Sequence, residues 1–125
     1  RRILWVDDYP IGNRSLISEL KADSIEVITA QTNADALKQL AGNKFDLVIS
    51  DVERDKEGPD AGLQLFDAVK KYSSNIPFIF YTASKEKNFD AATKKGALLA
   101  TENATELVNF FQKRFGILFR GSKKK

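Results

Sequence analysis

The sequence predicts an α/β domain in which a doubly wound, five-stranded parallel sheet carries helices on both faces. Three observations predict it. Short apolar runs alternate with stretches of helical periodicity five times along the chain, which is the signature of βαβ crossover units. Three of the runs, Ile3-Leu4-Trp5-Val6, Phe45 to Ser50 and Ile76 to Tyr81, end abruptly on polar residues: Asp7 and Asp8, Asp51, and Thr82. Finally, 125 residues without an internal repeat or a linker suit one domain large enough for a real core.

Taken in order, the first strand runs from about Ile3 to Asp7. Asp8-Tyr9-Pro10 is expected to open a helix, because Asp is a good N-cap and proline is tolerated in a first turn. Leu16, Ile17 and Leu20 give that helix one apolar face, and it ends near Ala22-Asp23-Ser24. Strand two is Ile25 to Ala30. Thr32 followed by Asp35 resembles a capping box for a second helix that turns Ala36, Leu37 and Leu40 inward. Strand three, ending at Asp51 between Gly42-Asn43 and Gly58-Pro59, is apolar enough to be buried on both faces. After the charged loop from Val52 to Asp60, Asp60 is expected to cap a third helix with Leu63, Phe66 and Val69 at helical spacing. Strand four carries Pro77 near its start, where a missing donor is best tolerated. A short helix with Phe89 and Ala92 leads to Gly96 as its C-terminal cap. Strand five is Ala97 to Thr101, and the last helix begins near Ala104 with Leu107, Phe110, Phe111 and Phe115. Together with Phe115, residues Ile117, Leu118 and Phe119 exceed what one short helix buries, which leaves a partner surface or the stub of a longer helix. Residues 1–119 are expected to form the domain and 120–125 a basic solvated tail or an expression remnant.

Composition excludes several chemistries. The chain has no cysteine and no histidine. The usual zinc sites, the Ser/His/Asp triad and the Cys/His pair are therefore excluded, and a site must use carboxylates, hydroxyls, amines and a bound metal. No apolar run is long enough to span a bilayer and no charged-then-apolar leader is visible, so a cytoplasmic location is expected. The net charge is +3. Arg1, Arg2, Arg120 and Lys123 to Lys125 supply six of the 20 basic residues, leaving 14 against 17 acids. The basicity belongs to the ends, and without a basic, aromatic-interleaved stripe no nucleic-acid partner is expected.

The carboxyl ends of parallel strands are where open α/β sheets bind ligands. If strands one and three are neighbours, Asp7, Asp8 and Asp51 converge there. Such carboxylates repel one another unless a cation is present, and an all-oxygen set suits Mg²⁺ or another hard divalent ion. Blander readings stand beside this one: Asp7 and Asp8 as helix caps, Asp51 as a solvated loop acid, Thr82 as a strand-end or cap residue, and Trp5 as core.

Trp5-Val6-Asp7-Asp8, Asp51, Gly62-Leu63-Gln64-Leu65, Thr82-Ala83 and Gly96-Ala97, in that order, resemble a response-regulator receiver (CheY-like, flavodoxin-like) domain over most of the chain. The resemblance implies that Asp51 is the phosphoacceptor of a two-component phosphorelay. It further implies that Asp7 and Asp8 hold Mg²⁺ directly or through water, with Glu53 completing the metal shell by its backbone carbonyl. Thr82 would then hydrogen-bond the phosphoryl oxygens. The donor would be a histidine kinase or phosphotransfer protein, since this chain has no histidine to phosphorylate. Output would pass to a downstream protein through the face of the fourth helix, fifth strand and fifth helix, with a homodimer left open. Aligned on Gly96-Ala97, Asn103 stands where the family carries a lysine and Ala100 where it carries an aromatic residue. Asn103 is either a relic of the phosphate site or a cap for the last helix. Lys56, Lys85 or Lys87 on flanking loops is a candidate substitute cation. The alternative is a phosphorylation-independent pseudo-receiver acting as an interaction module. A magnesium-dependent phosphohydrolase of the haloacid-dehalogenase kind ranks last, because its second aspartate would fall at Glu53. No enzyme turnover beyond self-phosphorylation and self-dephosphorylation is expected.

Overall fold

The computed structural model describes residues 1–73, 75–82 and 86–116, without the side chains of 86–88. Ala83, Lys85, Ile117, Leu118, Phe119, the tail 120–125 and the side chain of Lys87 lie outside the described residues. One five-stranded, all-parallel sheet, with strand order β2-β1-β3-β4-β5, is built from β1 (Arg2–Val6), β2 (Glu26–Ala30), β3 (Leu47–Ser50), β4 (Phe78–Tyr81) and β5 (Leu99–Thr101). The crossovers are helices α1 (Arg14–Ala22), α2 (Asn33–Gly42), α3 (Ala61–Tyr72) and α4 (Glu86–Lys95), and α5 (Ala104–Phe115) follows β5. The predicted fold class is the observed one.

Alternate residues of each strand point to opposite faces, so each strand contributes to two cores. Leu4, Val6, Val48, Phe78 and Phe80 pack on one side with Ala36 and Leu40 of α2, Leu65, Phe66 and Val69 of α3 and Ala92 of α4. Ile3, Trp5, Leu47, Ile49 and Ile79 pack on the other with Leu20 of α1 and Leu107, Val108 and Phe111 of α5. All four residues of β3 are buried, because this central strand is covered on both faces. Each large side chain fully buried this way stabilises the fold by roughly 2–3 kcal/mol. Trp5 is core, edge-on to Tyr81 and tilted against Phe111.

The strands are shorter than the apolar runs. Phe45 is buried yet precedes β3, and Ile76 and Pro77 precede β4, where the Pro77 carbonyl still accepts from the Val48 amide at 3.0 Å. Thr32 caps α2 as expected, its Oγ1 accepting from the Asp35 amide at 3.0 Å. Asp60 precedes α3 without a side-chain capping bond. The start of the first helix also differs from expectation. Pro10–Asn13 forms a 3-10 turn ahead of α1, and Asp8 caps nothing there. Asp7 organises that turn instead: its Oδ1 accepts from the Tyr9 amide at 2.7 Å and its Oδ2 from Asn13 Nδ2 at 3.0 Å. Gly96, with φ at +112°, ends α4 as predicted.

Candidate acidic site at the carboxyl edge of the sheet

The strand order reverses direction of winding between β1 and β3, and that junction opens a crevice at the carboxyl ends of the strands. Register then places the acids. Val6 pairs with Ser50, and the Asp51 amide donates to the Val6 carbonyl at 3.1 Å, so Asp7 and Asp51 leave adjacent strands side by side. Carboxylate oxygens of Asp7, Asp8 and Asp51 lie within 4.8 Å of one another. On the other flank Tyr81 pairs with Thr101 and the Thr82 amide donates to the Thr101 carbonyl at 3.0 Å, which sets Thr82 at the same edge. A cleft of about 360 Å³ is lined by Asp7, Asp51, Glu53 and Thr82 among others. All the residues expected at a metal and phosphoryl site except Asp8 and Asn103 line it. Asp8 borders the adjoining groove with Arg54 and Lys56.

The backbone of Asp51 is fixed from behind by α3. The Gly62 amide donates to the Val52 carbonyl at 2.8 Å, and a Cβ at Gly62 would stand 1.9 Å from the Asp51 carbonyl oxygen. Only glycine allows the helix start to approach this closely.

Sequence reasoning missed the cation that, among the described residues, contacts Asp51. Arg54 is 4 % exposed, and its Nε donates to Asp51 Oδ1 at 2.8 Å. The remaining guanidinium contacts run to Ser50 Oγ at 2.9 Å, Asn33 Oδ1 at 2.6 Å and Glu57 Oε1 at 2.7 Å. A small antiparallel bridge between Arg54 and Gly58 bends the loop so that this side chain folds under the sheet edge. Gly58 adopts φ +105°, a conformation that favours glycine. The available signal was an arginine three residues after a strand-end aspartate, in a loop otherwise rich in acid. Lys56 is exposed and is not the cation on Asp51.

Burial pushes the Asp51 carboxyl up to about 7, assisted by the Asp7 and Asp8 charges and opposed by Arg54. Burial, and then Asp7, also raises the Tyr81 hydroxyl above its ordinary value. A buried carboxylate facing two others asks for a cation. Asn103, the position expected to carry lysine, is outside the cleft lining and is the N-cap of α5. Its Oδ1 accepts from the Thr105 and Glu106 amides at 2.8 and 3.1 Å. Glu102 lines the cleft beside it.

The family model for the response regulator receiver domain matches residues 3–102. The transcriptional regulatory protein GlrR of Escherichia coli K12 is 36% identical over 95 residues, covering 75% of this chain and 21% of GlrR. The chain therefore spans about a fifth of the length of that relative. Among solved structures, the non-phosphorylated HemR receiver domain of Leptospira biflexa superposes with a TM-score of 0.78 at 26% identity, covering 94% of this chain and 95% of that one. The response regulator TrrA of Thermotoga maritima, solved in complex with Mg²⁺ and BeF, gives a TM-score of 0.75 at 28% identity, covering 90% and 97%. A structure of TrrA with the histidine kinase ThkA gives 0.73 at 29% identity, with the same coverage.

Proposed function

Since this chain belongs to the response regulator receiver domain family, we propose that Asp51 accepts a phosphoryl group from a partner histidine kinase or phosphotransfer protein, with Mg²⁺ bound beside it. The observation that carries this reading is the placement of Asp51: a buried carboxylate at the end of the central strand, facing Asp7 and Asp8 and opening to a cleft that Thr82 also lines.

The donor set fits the metal. Three carboxylates with oxygens within 4.8 Å form a hard, all-oxygen group, and Mg²⁺ takes carboxylates together with water and substrate phosphate. Asp7, Asp8 and Asp51 would hold the ion, with the Glu53 backbone carbonyl as a further ligand. When bound, the ion offsets the negative charge that nucleophile and phosphoryl group share. A carboxylate oxygen of Asp51 forms the new P–O bond while the donor's P–N bond breaks and its electron pair returns to the imidazole nitrogen. Asp7 holds the β1–α1 turn through the Tyr9 amide and Asn13, which fixes the wall of the cleft. Thr82 supplies a hydroxyl at the same edge to orient phosphoryl oxygens.

The TrrA–ThkA complex supports a histidine kinase as donor, and the Mg²⁺–BeF complex of TrrA supports a metal at the acidic cluster. Output is assigned to the face of α4, β5 and α5, and the chain acts as a signalling module without catalytic turnover of a separate substrate. The test is intact mass after incubation with acetyl phosphate and Mg²⁺. One added phosphoryl group is expected, absent in Asp51→Asn and absent when metal is chelated. No addition under any of these conditions would overturn the reading and leave an interaction module.

A further inference from the structure

Asp7, Asp8 and Asp51 bring three carboxylates together at the mouth of the cleft. Among the described residues that line it, none is a lysine or arginine, while Asp7, Asp51, Glu53 and Glu102 are all acids. Among the described residues, the cation in contact with Asp51 is Arg54, which is outside the cleft lining. Arg54 is 1 % exposed at its side chain and is held on Asp51 Oδ1 by the Arg54–Gly58 bridge and by contacts with Ser50, Asn33 and Glu57.

We propose that Arg54 is the resident cation of the phosphoacceptor, holding one oxygen of Asp51 so that the other faces the cleft and balancing the charge of the phosphoryl group after transfer. The inference rests on the reading of Asp51 as acceptor and adds the residue that serves it. Arg54 is a positioning residue, because it acts through Asp51. Its fork is already fixed at several points, so little freedom is lost when the acceptor reacts. When Asp51 becomes an acyl phosphate, its carboxylate charge is gone and the negative charge resides on the phosphoryl oxygens, two bonds beyond the acceptor oxygen. A guanidinium buried against the former carboxylate remains charged and attracts that group through a medium that screens poorly. The same network gives the change a route. Asn33, the first residue of α2, accepts from Arg54, donates its amide to Glu57 Oε2 at 2.9 Å and donates Nδ2 to the Ala61 carbonyl at the start of α3.

The experiment measures two affinities by calorimetry in the wild type, Arg54→Gln and Arg54→Lys: Mg²⁺ alone, and fluoroberyllate, a phosphoryl mimic, at saturating Mg²⁺. Loss of the guanidinium is expected to weaken fluoroberyllate about tenfold or more, because a buried positive charge near the mimic is removed from a medium that screens poorly. Mg²⁺ alone is expected to bind roughly fivefold tighter, because a competing positive charge has left Asp51. Arg54→Lys is expected to fall between the wild type and Arg54→Gln on both measures. Opposite shifts in the two affinities separate this role from loose packing, which would weaken both. Unchanged fluoroberyllate affinity in Arg54→Gln, or a parallel loss of both ligands, overturns the proposal while leaving Asp51 as acceptor. If the wild type neither binds fluoroberyllate nor gains mass from acetyl phosphate, the acceptor reading falls and this inference with it.

Discussion

Asp51→Asn, in metal-free protein, decides which electrostatic effect rules the site. Burial, with Asp7 and Asp8, disfavours the Asp51 carboxylate, and Arg54 at 2.8 Å favours it; the balance raises the group from 3.8 to about 7. A carboxyl raised in the folded state keeps a proton that the unfolded chain loses, so stability falls as pH rises from about 4 to 7 and the loss is complete above that window. At ~1.4 kcal/mol per unit, the rise corresponds to on the order of 4 kcal/mol by pH 8, an upper figure that local relaxation reduces. Asparagine keeps an oxygen to accept from Arg54 Nε but has no charge to desolvate. The variant should therefore lack the Asp51 component of the fall across the window and exceed the wild type by roughly 2–4 kcal/mol at pH 8 in chelator. Urea unfolding followed by Trp5 fluorescence measures it, since Trp5 is buried and is the sole tryptophan. Excess Mg²⁺ should reverse the order, because the wild type alone retains the full ligand set and gains stability by mass action. A wild type as stable as Asp51→Asn at pH 8 without metal would mean the opposite, that the Arg54 ion pair outweighs burial.

Other perturbations probe how the site is held. Gly62→Ala places a methyl 1.9 Å from the Asp51 carbonyl oxygen, so β3 or the α3 start must shift; a loss of about 3 kcal/mol is expected in chemical denaturation. Asn103→Ala leaves the Thr105 and Glu106 amides without their side-chain acceptor. About 1 kcal/mol should be lost in the same assay, with phosphorylation of Asp51 by acetyl phosphate unchanged, because Asn103 is outside the cleft lining. Phe111→Ala empties a fully buried position against Trp5 and Phe115. It should cost about 3–5 kcal/mol and shift Trp5 emission to longer wavelength in the folded protein.

Much of the site was legible because a strand that ends in a carboxylate signals its place twice, by the apolar run and by its abrupt end. Asp7 and Asp51 were placed at the edge this way, and Thr82 by the hydroxyl that follows the fourth apolar run; the sheet order then brought all three to one cleft. Helix entry was less legible. Asp8 and Asp7 are equally good caps by residue type, and it is the Tyr9 and Asn13 geometry that gives the turn to Asp7. Arg54 escaped because its role depends on a loop bridge closed by Gly58, and an arginine among acids reads equally well as a solvated loop residue. At Asn103 the cap that the sequence allowed is present, its Oδ1 accepting from two α5 amides.

The alternation of strands and helices, the two-sided burial of the central strand and the polar residues at the strand ends are all written in the chain. Those are properties of local periodicity, and each element carries its own pattern. The tertiary structure alone decided which cation meets Asp51 and how closely α3 approaches it. A guanidinium is assigned to a carboxylate by the path of the loop that carries it, and a glycine is required only once a second backbone arrives at the same place. Both depend on contacts between segments that no local pattern encodes.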